Sequence, residues 1–294
     1  MTAAHTHSAA LTPWIQARGV VTRHEDYGAG HRWLDIALPR EFVAPRPGQF
    51  VQLLLEPETN PAFLPRPMSV AGVRRRGRGI EVGFLYAPVG VGTRALASLE
   101  KGAPIEVLGP LGRGYTLEIP GTQVLIAGGR GVAPLLFAAD ELGEPIEFIF
   151  GARDSKHLVG LAEAARRLKR SGGKLHLCTD DGSRGMRGNV VQLLDRLAPK
   201  LESPLVLHAC GPHGMLKAVA LWALEREVPA FLAMESVMAC GTGVCRGCPL
   251  PRSAESTEAF DPSLPSLLGN REYAMCCTEG PVFEAGELDW SRIE

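Results

Sequence analysis

The chain has 294 residues, a net charge of −1, 45% hydrophobic residues and seven cysteines. That length accommodates two domains and a small additional module. The balanced charge, with no Lys/Arg run, excludes a nucleic-acid face, and the lack of an apolar run of about 18 residues excludes a membrane-spanning helix.

Residues 1–12 are small and polar and lack the apolar core of a signal peptide. They read as part of a disordered tail, 1–13, in which His5 and His7 have no role. From Trp14 to Leu108, short apolar or alternating runs at 19–22, 33–38, 49–55, 68–71 and 80–86 are separated by Gly, Pro and charge. Six or so strands and one helix at 92–99 predict a small antiparallel β-barrel over residues 14–116.

Near residue 120 the rhythm changes. Strands at 123–127, 146–150, 175–178, 205–209 and 230–234 alternate with helical runs at 135–142, 161–169, 190–197 and 215–226. This alternation predicts a parallel sheet with helices on both faces over residues 117–235. Residues 236–294 form a third module. Within it, 249–275 is rich in Pro, Ser and Glu and reads as a surface insertion, and 278–294 reads as a tail with a short strand at 281–283.

Several motifs sit at junctions of these elements. Arg66-Pro67-Met68-Ser69 heads a barrel strand, where an arginine can pair with a pyrophosphate and a serine can bond a flavin; the plain alternative is a chance match. Gly90-Val91-Gly92-Thr93 lies at a strand-to-helix junction, as an anion-binding turn or an ordinary N-cap. Gly128-Gly129-Arg130-Gly131 follows the first parallel strand, with Pro134 suited to the first helical turn, where such sheets bind dinucleotides; the alternative is a tight β–α turn. Cys210-Gly211-Pro212 ends a later strand over the same crevice, unless Cys210 is simply a small buried residue. Asp180, in Thr-Asp-Asp-Gly-Ser, also ends a strand and can accept ribose hydroxyls, favouring NAD over NADP. Arg184 and Arg187 follow closely in sequence and pull the other way. His208 lies within a strand and reads as a core residue.

Cys240, Cys245 and Cys248 follow a Cys-x4-Cys-x2-Cys spacing, the plant-type pattern for a [2Fe–2S] cluster. Gly241, Gly243 and Gly247 allow backbone N–H groups to approach sulfur. Zinc or disulfides are the alternatives, although zinc sites more often show two Cys-x2-Cys pairs. The fourth ligand is Cys276 or Cys277. Adjacent cysteines make a poor disulfide framework, so a reducing cytosol is the simpler setting.

The order of these motifs, together with Leu108-Gly109-Pro110-Leu111-Gly112-Arg113-Gly114-Tyr115 and Phe150-Gly151-Ala152-Arg153, resembles the ferredoxin reductase-like superfamily over residues 16–286. Within it the chain looks like the iron–sulfur electron-transfer subunits of NAD-linked dihydroorotate dehydrogenases. The resemblance implies FAD on Arg66, Pro67, Met68, Ser69, Leu85, Tyr86, Ala87, Gly92 and Thr93. It implies NAD(H) on Gly128, Gly129, Gly131, Ala133, Pro134, Cys210, Gly211 and Pro212. It also selects Cys277, which precedes Thr-Glu-Gly-Pro-Val-Phe, as the last cluster ligand. The implied partner is an FMN-containing dihydroorotate dehydrogenase catalytic subunit in a heterotetramer of pyrimidine biosynthesis, with electrons passing from FMN through cluster and FAD to NAD+. A longer 249–275 segment, Pro249 and Arg246 depart from the family pattern at the partner surface. Alternatives are a reductase subunit serving a ferredoxin:NADP oxidoreductase, sulfide dehydrogenase or hydrogenase, and a zinc-binding scaffold.

Overall fold

The computed structural model describes residues 13–55, 63–143, 145–258 and 272–293. The expected tail up to residue 12 lies outside them. The first domain holds β1 (Ile15–Gly28), β2 (His31–Leu38), β3 (Phe50–Leu54), β4 (Arg66–Ser69), β5 (Gly72–Arg76), β6 (Gly79–Tyr86), helix α1 (Val91–Ala97) and β7 (Pro104–Leu111). Their pairings are all antiparallel, in the order β4-β3-β7-β1-β2-β6-β5. The edge strands β4 and β5 are separated in the chain only by Val70 and Ala71. Val70 N–H donates to Gln49 and Ala71 N–H donates to Gly83 of β6, which curls the sheet back on itself. Leu34, Ile36, Val51, Leu53, Val82, Phe84, Leu96 and Val107 fill the interior.

Of the run expected as one strand at 68–71, only Met68 and Ser69 fall in β4; Val70 and Ala71 form the link to β5. The sequence of β5, Gly-Val-Arg-Arg-Arg, has no apolar alternation. Side-chain ion pairs hold it instead: Arg74 reaches Asp35 at 2.8 Å and also Glu81, while Arg76 meets Glu81 at 2.7 Å. β1 extends well past the predicted 19–22 because its flanks are polar and only its centre is buried.

The second domain alternates β8 (Thr122–Gly128), α2 (Val132–Leu142), β9 (Glu147–Ala152), α3 (Leu161–Ser171), β10 (Lys174–Thr179), β11 (Met186–Arg187), α4 (Val190–Leu197), β12 (Leu205–Cys210), α5 (His213–Glu225) and β13 (Ala230–Ala233). Local chemistry sets the helix ends. Asn189 accepts from Gln192 N–H to cap α4, and α3 stops at Gly172 in a left-handed conformation. The strands β8 to β13 pair in parallel, and β8 has β9 on one side and β12 on the other. The strand order therefore reverses between β8 and β12.

The C-terminal part contains β14 (Pro249–Pro251), α6 (Ala254–Glu258), β15 (Tyr273–Met275) and β16 (Val282–Glu284). Two expectations are corrected here. The 249–275 stretch is not all surface insertion: β14 pairs with β15, and Leu250, Ala274 and Met275 are buried; residues 259–271 lie outside the described residues. Nor are 278–294 a tail. β16 adds to the sheet antiparallel to β13, and Leu288, Trp290 and Ile293 join the core. β14 and β15 have three residues each, too short for an alternation to be read, whereas β16 is the short strand expected at 281–283, shifted by one residue.

Arg167 on α3 ties the domains together. It donates to the Ala71 carbonyl at 3.0 Å and pairs with Asp140 at 2.6 Å and Glu163 at 2.8 Å.

Candidate functional site

The site begins where β8 and β12 end. A Cβ placed on Gly131 would lie 2.2 Å from the Cys210 carbonyl oxygen, and one on Gly128 would lie 2.5 Å from Met215 Sδ and 2.9 Å from Pro212. The two turns therefore pack backbone against backbone, a fit that only glycine permits. A cavity of about 720 Å³ opens beside them, lined by Gly128, Gly129, Arg130, Gly131, Asp180, Gly211 and Pro212. The N-terminus of α2 lies at this end of the sheet, a setting suited to anions.

Arg153, from the Phe-Gly-Ala-Arg motif, lines this cavity too, as do His157, Asn189 and Glu235, which were not singled out from sequence. These three lie just beyond strand ends, where position relative to the sheet, rather than any motif, marks a ligand-facing residue. Asp154 Oδ1 accepts from His157 Nδ1 at 2.7 Å, and Arg153 donates to His157 Nε2, so the imidazole is held on both sides.

A second cavity, of about 260 Å³, lies between the barrel and the parallel sheet. The barrel supplies Pro67, Met68, Ser69, Leu85, Tyr86, Ala87 and Thr93; the second domain supplies Ala133, Pro134 and Cys210; Met234, Met238 and Pro281 complete the wall. Ala87, Val89, Arg130, Gly131 and Glu235 line both cavities. Two sequence-selected residues do not line it. The Arg66 guanidinium donates to the carbonyls of Leu64 and Pro65, and Gly92 is buried within α1. Thr93 Oγ accepts from Gly90 N–H at 2.9 Å and donates to its carbonyl at 3.1 Å, fixing the start of α1.

Tyr86 has a partner that sequence reasoning missed. His24 Nδ1 lies 2.7 Å from the Leu99 carbonyl, which can only accept, so Nδ1 carries the proton. Nε2 then accepts from the Tyr86 hydroxyl at 2.8 Å. Burial pushes the Tyr86 phenol up and the His24 imidazole down. Burial also pushes the Cys210 thiol well up, with the nearby Glu235 charge adding to it, and raises Cys178 to about 11. Both thiols stay protonated at neutral pH.

The cysteine loop packs against β3 of the barrel, where a Cβ on Gly241 would lie 2.6 Å from Gln52 Nε2. Gly241 and Gly243 have φ of +75° and +86°, so the chain winds back toward its own sulfurs. Cys240 Sγ accepts N–H groups of Thr242 and Cys245, each at 3.4 Å. Burial pushes the Cys240 thiol up, but these donors outweigh it and bring it to about 6. The Cys277 thiol donates to Cys248, which falls to about 6 while Cys277 rises. Cys276 faces away, toward the Met234 carbonyl at 3.7 Å.

Cys240, Cys248 and Cys277 thus interact with one another, and the exposed Cys245 bonds to Cys240 and accepts from Gly247 N–H at 3.5 Å. Among the described residues, no three His, Cys, Asp or Glu side chains close to metal-binding distance. All seven cysteines are free thiols, so the disulfide alternative is not formed.

No protein-family profile matches the chain. Individual proteins do. It is 33% identical over 248 residues to the electron transfer subunit of dihydroorotate dehydrogenase B (NAD(+)) of Desulforamulus reducens, covering 83% of this chain and 87% of the relative. The subunit of the same name from Shouchella clausii is 35% identical over 83% of this chain and 86% of its own. The chain belongs to this family. This member of the dihydroorotate dehydrogenase B electron-transfer subunits superposes on solved oxidoreductases. A chain of an NADH-dependent reduced ferredoxin–NADP oxidoreductase superposes with a TM-score of 0.76 at 27% identity, covering 94% of this chain and 91% of that one. A Neisseria gonorrhoeae ferredoxin NADP+ reductase with bound FAD and NADP superposes at 0.59 with 17% identity, covering 71% of this chain and 91% of its own, a likeness of fold. No helix among the described residues is long and apolar enough to cross a membrane.

Proposed function

We propose that the chain is the electron-transfer subunit that links an FMN-containing dihydroorotate dehydrogenase catalytic subunit to NAD(H), in a cytosolic heterotetramer of pyrimidine biosynthesis. FAD is assigned to the cavity of about 260 Å³ and NAD(H) to that of about 720 Å³. A [2Fe–2S] cluster is assigned to Cys240, Cys245, Cys248 and Cys277. The observation that carries the reading is the shared wall at Ala87, Val89, Arg130, Gly131 and Glu235, which lets two ligands meet edge to edge.

Bound together, the flavin would exchange a hydride with NAD(H) and single electrons with the cluster. The chain itself supplies binding, orientation and electrostatics. The Gly128–Gly131 turn and the N-terminus of α2 receive a pyrophosphate, and Asp180 accepts from a ribose. His24 orients the Tyr86 hydroxyl within the flavin cavity wall. Cys210, neutral and buried, packs at the junction and takes no part as a nucleophile.

The cysteine loop fits an iron–sulfur group. It offers two sulfurs of lowered basicity, Cys240 and Cys248, backbone N–H donors aimed at sulfur, and two left-handed glycines. Cys277, which already contacts Cys248, fits the ligand role better than Cys276. A subunit of the same architecture with a different partner is the second reading, favoured by the 0.76 superposition on a ferredoxin–NADP oxidoreductase chain.

The test is the purified full-length chain, reconstituted anaerobically with iron and sulfide. It should show flavin and iron–sulfur absorption, oxidise NADH with an artificial acceptor and capture a dihydroorotate dehydrogenase catalytic subunit. Cys277→Ser should lose cluster iron and Cys276→Ser should keep it. A colourless reconstituted protein sinks the reading.

A further inference from the structure

Gln52 is the one polar side chain on β3 and is fully buried, between the buried apolar residues Val51 and Leu53. Its backbone belongs to the sheet, with Pro67 of β4 and Leu108 of β7 as its neighbours. Among the described residues, neither Nε2 nor Oε1 of its amide has a hydrogen-bond partner. A leucine or methionine would fill the same space without burying an unsatisfied amide, which is costly. The amide therefore calls for a partner that the polypeptide alone does not supply.

Its surroundings say where that partner lies. A Cβ placed on Gly241 would sit 2.6 Å from Gln52 Nε2, 2.9 Å from Cγ and 3.1 Å from Cδ. Gln52 thus lies flat against the residue that follows Cys240, and Gly241 has to be glycine for this contact as well as for its positive φ. Gln52 does not line the flavin cavity, although its strand neighbours Phe50 and Pro67 do. It is placed between that cavity and the cysteine loop, facing the loop. The loop's own N–H groups already converge on Cys240 Sγ from Thr242 and Cys245.

We infer that Gln52 is a positioning residue of the barrel for the iron–sulfur group, its carboxamide donating a hydrogen bond to a sulfur of that group beside Gly241. The inference rests on the cluster assignment proposed above and adds to it a residue outside the cysteine loop. Reduction adds negative charge to a cluster, and a hydrogen bond to sulfur stabilises that charge, so Gln52 raises the reduction potential.

The experiment is an EPR-monitored redox titration of the full-length, cluster-loaded protein as wild type and as Gln52→Leu, with Gln52→Met as the second variant should leucine impair folding. Loss of the donor should lower the ratio of reduced to oxidised cluster at a fixed potential about tenfold, a shift of about 59 mV for one electron. A second readout needs no cluster. In the iron-free protein the same substitution removes an unpaired buried amide, so the variant should unfold at a higher urea concentration than the iron-free wild type. An iron-loaded variant with the wild-type potential overturns the inference alone, as does an iron-free variant less stable than wild type. A wild-type protein that takes up no iron overturns the cluster assignment, and the inference falls with it.

Discussion

Arg113 and Glu287, 174 residues apart in the chain, form a two-pronged ion pair that fastens the C-terminal segment to the barrel. The guanidinium Nη1 lies 3.0 Å from one carboxylate oxygen, and Nη2 meets the other. Nε also donates to the Val282 carbonyl at 2.9 Å, and the guanidinium stacks 5.5 Å from the Phe283 ring centroid. The planar fork satisfies a carboxylate, a carbonyl and an aromatic face together, which an ammonium cannot. This anchor seats β16 beside β13 and holds Cys277 near the 240–248 loop.

Arg113→Ala should therefore destabilise the protein by roughly 2 kcal/mol, less than a fully buried pair because both partners are partly solvated. Arg113→Lys should recover less than half of that. Urea unfolding of the three proteins measures it, and a lysine variant as stable as wild type would show that charge alone, not the fork, holds the segment.

Two glycines of one turn separate steric from conformational demand. Gly129 has a φ of +53° with nothing near its missing Cβ, whereas Gly131 has an ordinary φ but faces the Cys210 carbonyl at 2.2 Å. Gly129→Ala should cost about 1 kcal/mol of stability through its left-handed conformation and leave the crevice shape intact. Gly131→Ala must push the β8 and β12 turns apart, so NAD(H) affinity should fall at least tenfold more in this variant than in Gly129→Ala. Titration calorimetry with NADH compares them; equal affinities would mean that the crevice does not bind the dinucleotide through this turn.

His208 should make stability fall in acid. It is buried in β12, edge-on to Tyr115 at 5.4 Å and stacked on Phe231 at 5.6 Å, with Nε2 2.8 Å from Gln123 Oε1. Burial lowers its pKa to about 3, against about 6.5 in an unfolded chain. Between these values the unfolded state binds a proton that the native state refuses. The contribution of His208 is thus fully present above pH 6.5 and is lost as pH falls toward 3, at a slope approaching about 1.4 kcal/mol per pH unit. His208→Gln should flatten this part of the profile, read as urea midpoints across that range. An unchanged slope would assign the acid sensitivity to the carboxylates.

Much of this architecture is visible in the amino-acid order, because much of it is local. Alternating apolar residues mark the strands near Trp33 and Phe84, and an apolar run after Gly121 followed by glycines marks β8 and its turn. These patterns depend on neighbours within a few positions, as does the Cys-x4-Cys-x2-Cys spacing. Strands without a pattern stayed hidden: β5 is held by ion pairs to Asp35 and Glu81, and β14 and β15 are three residues long.

What the chain alone determined is the succession of a β-rich domain, an alternating α/β domain and a cysteine loop, with glycines at the turns where backbones approach. Only the folded molecule decided that the link between the edge strands β4 and β5 bonds to Gln49 and Gly83, that two cavities share a wall at Arg130 and Gly131, and that Gln52 faces Gly241. These are contacts between residues far apart in the chain. They follow from strand order and register, in which a shift of one residue turns every side chain to the opposite face.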